Sequence, residues 1–123
     1  MLKLQFEHSW NKAISMKDRK EIEQLFQNTF EFKNSNIICH SIRQAINHKN
    51  QMLITVLIHN FTDGDIAFDN REVYCLLEEG SVSQKFTIPA LTIPSQTSMP
   101  WTFIFEDSAE FLFTELLGVK IDE

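Results

Sequence analysis

Glycine and proline are scarce, with three of each in 123 residues. Irregular turns lean on both, so most of this chain belongs in regular elements. The two cysteines, Cys39 and Cys75, are too few for a disulfide framework. No apolar run approaches the ~20 residues of a membrane-spanning helix. The longest, Met52 to Ile58, already contains Thr55. The first ten residues carry Lys3 and Glu7 where a secretory leader needs an unbroken apolar core. The expectation is a cytoplasmic protein, without membrane insertion, whose cysteines are buried and reduced.

Chemical signatures are missing too. There is no G-x-S-x-G turn, no HExxH, no CxxC and no glycine-rich phosphate loop. Cys39 and His40 are neighbours inside an alternating stretch, which sends them to opposite faces of a strand. Asp63, Asp65 and Asp69 crowd one loop but lack the EF-hand spacing, so they read as turn formers and solvated charges. The sequence assigns no catalytic, cofactor-binding or metal-ligating residue, and no enzyme activity. Lysine and arginine are few after residue 50: residues 1–50 carry net +3, residues 51–123 net −9, giving −6 in all. An acidic body excludes binding to a nucleic-acid backbone, which needs clustered cations.

What is present is apolar mass. Hydrophobic residues make up 43% of the chain, with 11 Phe among them, far too much for a disordered segment. Leu2 to Glu7 alternates apolar and polar, predicting a short strand. The period then becomes helical. Ser15 is placed to cap a helix over about Met16–Asn28, Asp18 stands where a reciprocal carboxylate belongs, and Ile22, Leu25, Phe26 and Phe30 form its apolar stripe. After Asn34-Ser35-Asn36 the period is two. Ile38, His40, Ile42, Gln44 and Ile46 share one parity, and Met52–His59 is the strongest strand. Val73–Leu77 and Gln84–Ile88 flank a hairpin at Glu79-Gly80-Ser81. Pro89 and Pro94 mark a loop or an edge. Trp101, Phe103 and Phe105 alternate as core, sharing a face with Ile54, Val56 and Ile58, and Leu116–Ile121 is a last strand. The predicted fold is mainly β, of the α+β kind: one domain over residues 1–123, an antiparallel immunoglobulin-like β-sandwich with one N-terminal helix packed on it.

Several stretches belong together in order: Ile14-Ser15-Met16-Lys17-Asp18-Arg19 with Glu21-Ile22, then Ile54 to Asn60, then Ile66-Ala67-Phe68. Ile93-Pro94 and Met99-Pro100-Trp101-Thr102-Phe103-Ile104-Phe105 complete the set, which covers about residues 9–107. In this order they resemble the SLAP domain family of Firmicute proteins, associated with S-layer assembly and the accessory Sec system. His59 stands where the family's strand carries Arg, and one domain is present where some members have two. The resemblance implies a cytosolic, non-enzymatic accessory protein and brings no catalytic residues. The functional expectation is therefore a protein-binding module whose partner is a secretion or surface-assembly component. The expected contact surface joins Lys12, Lys17, Arg19 and Lys20 to the turn bearing Asn60, Asp63, Asp65 and Asp69. Competing readings are an enzyme inhibitor on an immunoglobulin-like scaffold, and a small hydrolase or metal protein whose site assembles only in three dimensions.

Overall fold

Alternation of branched and aromatic side chains dictates two packed sheets. In the computed structural model, which describes residues 2–28, 37–106 and 114–122, β1 is Lys3–Leu4, α1 His8–Ala13, α2 Met16–Gln27 and β2 Ile37–Ile46. β3 is Met52–Asn60, β4 Ile66–Leu77, β5 Gly80–Ile93, β6 Thr97–Phe105 and β7 Leu116–Ile121. One sheet runs β1-β6-β3-β2 and the other β5-β4-β7.

The centre of the first sheet is the β3–β6 pair. Met52, Ile54, Val56 and Ile58 stand opposite Phe105, Phe103, Trp101 and Met99. All eight face the second sheet, and all but the half-buried Trp101 are fully inside. From across the core, Phe68 and Phe86 meet the Phe103 ring at 5.8 and 5.0 Å between centroids. The aromatic core inferred from parity is therefore present. So is the final strand, on the residues expected.

The antiparallel rule has one exception. β1 pairs with β6 in parallel, Lys3 opposite Thr97, and it is far shorter than the expected Leu2–Glu7. Proline explains the length. Lys3 N donates to Gln96 O and Gln5 N to Ser98 O, so the next rung needs an N–H from residue 100. That residue is Pro100, which has none. Released from the ladder, the chain turns at Glu7, whose carboxylate accepts from Ser9 N, and forms α1.

The helix expected at 16–28 is α2, with Asn28 as its C-cap. Ser15 Oγ accepts from Asp18 N at 3.1 Å. The reciprocal half of the cap is absent, because the Asp18 carboxylate accepts from Arg43 on β2 at 3.2 Å instead. Ile22 is 3% exposed, while Leu25 and Phe26 are half-buried. Phe30 lies outside the described residues. The helices lie over the outer face of the first sheet, where Leu57 and His59 are as buried as the core opposite.

A single parity along β2 does not hold. The register shifts between Ser41 and Arg43. Ile37 and Cys39 pack against the core before the shift, and Gln44 reaches Met52 Sδ and Thr114 O after it. The bulge inserts one residue, and one residue reverses every face that follows. Pro89 sits in β5, the outermost strand, beside a register shift that leaves 89–91 out of the ladder.

Candidate functional site

Two features of the helix–sheet layer carry polar chemistry. The first is a groove of about 460 Å³ where α1 and α2 part from the sheet. Thr55 and Thr102 form its floor and share a hydroxyl hydrogen bond of 2.8 Å. Trp10, Ile14, Ile22 and Ile42 supply apolar walls. Arg43 stands at the rim, 3.2 Å from Asp18 and 3.8 Å from Glu21. All three are well exposed, so these pairs fix geometry more than they add stability. Trp10 is itself held by stacking on Trp101, with 6.4 Å between centroids.

The second feature is a buried chain. His59 Nδ1 lies 2.6 Å from Ser98 Oγ, and His59 Nε2 lies 3.0 Å from His40 Nδ1. Strand pairing creates it: His59 stands opposite Ser98 on β6 and Ile38 on β2, two residues and one same-face step from His40. Burial, and then the neighbouring His40 ring, push the His59 pKa down to about 4. The ring is therefore neutral at pH 7, donating through one nitrogen and accepting through the other. Serine, histidine and histidine in series have the order of a nucleophile, a base and an orienting group. Ser98, however, is 0% exposed and sits in the ladder beside β1. In this arrangement the three groups satisfy one another beneath the helices.

The expected contact surface divides into two parts. On the helical side, Lys12, Lys17 and Lys20 are exposed. Arg19 is committed: it donates to Asn11 O and Oδ1 at 3.2 and 2.7 Å and lies over the Phe6 ring. At the turn, Asp63 and Asp65 are exposed, and Asp69 is exposed on β4 beyond it; Asp65 Oδ1 accepts from Ser95 N. Asn60 is a correction. It is 0% exposed. Its amide donates to Gly64 O, Ile93 O and Pro94 O, and its Oδ1 accepts from both donors of Thr62. A side chain with every polar position filled from within ties the turn to the β5–β6 link and is unavailable to a partner. The basic residues' bonds stay within the N-terminal layer, and the turn's run to Ser95 and Gln96. No described contact joins the two parts.

Both cysteines are free thiols on different sheets. Cys75 is buried and Cys39 only half-buried. Burial pushes Cys39 up to about 12 and Cys75 to about 11, so neither carries thiolate at neutral pH. Among the described residues, no three His, Cys, Asp or Glu side chains converge as metal ligands.

The fold and this layer define a class: a two-sheet β-sandwich with helices over one outer face. Within it, the chain belongs to the SLAP domain family, whose family model matches residues 4–116. That match runs from β1 to the first residue of β7, so it includes the groove and the histidine chain. Comparison with curated proteins and with solved structures gives no match.

Proposed function

We propose that this domain is a non-enzymatic, protein-binding accessory module serving Sec-dependent secretion or cell-surface assembly, and that its helical layer faces an acidic surface of the partner. The observation that carries the reading is the state of three lysines. Lys12, Lys17 and Lys20 are exposed on α1 and α2. Among the described residues the ion pairs run from Arg43 to Asp18 and Glu21, so these lysines make no direct ion pair, on a chain of net charge −6. Cations left unpaired on one layer of an acidic domain attract acidic surfaces and orient the approach. The groove beside them adds apolar area that a partner can cover.

The test reverses Lys17 and Lys20 to Glu and measures binding to the protein recovered from the native host by affinity capture. Arg19 is left alone because its bonds are structural. Association is expected to slow about tenfold at low salt, with little change in dissociation, and the difference is expected to shrink as salt rises. Unchanged rates for a folded K17E/K20E variant would remove the helical layer from the interface.

A further inference from the structure

The hydrogen-bond directions of β4 fix those of β5. Glu72 O accepts from Asp122 N at 2.9 Å, and Glu78 N donates to Glu115 O at 3.0 Å. The even residues of β4 thus turn their backbone groups toward the β7 side. By alternation the odd residues Val73, Cys75 and Leu77 turn toward β5, where Gln84, Val82 and Gly80 stand opposite. It follows that Ser81, Ser83 and Lys85 aim N–H and C=O away from the sheet. Thr87 does the same, since Arg71 still meets Phe86 in the same register, just short of the shift between Phe68 and Arg71. β5 is the outermost strand, and among the described residues no backbone stands on that side. A row of outward donors and acceptors at strand spacing is complementary to one kind of molecule, another extended backbone.

Three further observations sharpen the occupant. Gln84 holds this margin in place: its Nε2 donates to Ile104 O at 3.3 Å, and its Oε1 accepts from Glu106 N at 2.9 Å. The edge is thereby pinned to β6 before anything binds, which lowers the ordering cost of pairing. At the far end, where residues 89–91 leave the ladder, a hollow of about 330 Å³ opens between Ala67, Phe68 and Asp69 of β4 and Thr87, Pro89 and Leu91 of β5. That is room for an apolar side chain. Lys85 is the one charged residue of β5. It disfavours a second copy of this chain in the register that sets Lys85 against Lys85, where like charges stand directly opposite.

We propose that the open edge of β5 from Ser81 to Thr87 is a strand-addition site for an extended segment of a protein partner. That segment carries an acidic residue opposite Lys85 and an apolar residue, on the Thr87 side, that fills the hollow by Pro89. This surface is separate from the helical layer and stands or falls apart from it.

The probe is a labelled Thr/Val peptide of about nine residues, a strand's length with short flanks. Asp stands at its centre with Leu about three residues to either side, and a control carries Lys in place of Asp. Binding of the Asp peptide is expected to protect the amides of Ser81, Ser83, Lys85 and Thr87 from hydrogen exchange while leaving their even-numbered neighbours unchanged. Ser83→Pro deletes an outward N–H and spares the ladder to β4, so the folded variant is expected to bind about tenfold more weakly. Lys85→Glu is expected to reverse the preference between the two peptides, and it decides the matter should S83P lose its fold. K17E/K20E is expected to leave peptide binding unchanged, so failure of the helical-layer reading and failure of this one are distinguishable. Unchanged binding by folded S83P, no reversal by K85E, or protection at another edge would overturn the assignment.

Discussion

Acid should destabilise this domain through one residue, and the size of the effect follows from where that residue sits. His59 is fully buried between Ser98 and His40, and its pKa is lowered to about 4 from an ordinary 6.5 by burial and by His40. At pH 7 the ring is neutral whether the chain is folded or not, and its linkage contribution is near zero. As pH falls through 6.5 the unfolded chain takes a proton that the folded one refuses. Stability therefore falls from about pH 6.5 to about pH 4, and below that the group costs nothing more. The full shift corresponds to about 3 kcal/mol, and at pH 5 about 2 kcal/mol is already lost. Against a typical total of about 5–15 kcal/mol, that is readily measured. Urea unfolding at pH 7 and pH 5 supplies the slope. The surface carboxylates titrate in the same runs, so the comparison is with His59→Gln, which retains a hydrogen-bonding side chain but cannot take a proton. The variant is expected to be less stable at pH 7 and to lose about 2 kcal/mol less on acidification. Equal losses for the two proteins would refute the buried, neutral histidine.

Phe103 lies between two phenylalanines of the opposing sheet, so Phe103→Ala is expected to cost about 3–5 kcal/mol in chemical denaturation, the sum of lost transfer energy and a cavity. A loss under about 1 kcal/mol would mean that the two sheets do not meet there. Asn60→Ala strips donors from three carbonyls at once; the expected cost is about 2–4 kcal/mol, with faster amide exchange confined to the 60–66 turn and the 93–96 link.

The strands that alternate without interruption were legible in the sequence, because burying one face requires a period of two and nothing local disturbs it. β3 and β6 belong to this group, and the pairing of Phe103 with the Ile54 face follows from parity once the two strands are neighbours. α2 was legible because Ser15 starts it and the apolar spacing carries it to Asn28. α1 was not. Six residues are too few to show a period, and its cause lies at Pro100, some ninety residues away, where a missing N–H ends β1. The bulge in β2 escaped for a related reason: Ile42 is apolar on either reading, so composition does not reveal that an extra residue has been inserted. Charge layout located the cations at 12–20 but not their condition. Only packing separates Arg19, held by Asn11 and Phe6, from lysines that are free to meet a partner.

The misread Asn60 and the unread His59 are adjacent, and the same geometry accounts for both. They close β3 at the end where the chain must leave the first sheet, turn at 61–65 and enter the second. A sandwich needs its loop backbone satisfied at such a crossing, since carbonyls there have left one ladder and not yet joined another. Asn60 does this on the side of the second sheet by taking Gly64, Ile93 and Pro94. His59 faces the other way, beneath the helical layer, where its ring bonds the Ser98 hydroxyl and the His40 ring rather than a carbonyl. Polar residues at the end of an apolar run read from sequence alone as the start of an exposed turn, and in most chains a turn is a reasonable place to seek a partner. Here the polar groups are consumed by the crossing itself. The surfaces left for recognition are then those whose donors and charges the fold does not use: the three lysines of the helical layer and the outward backbone of β5.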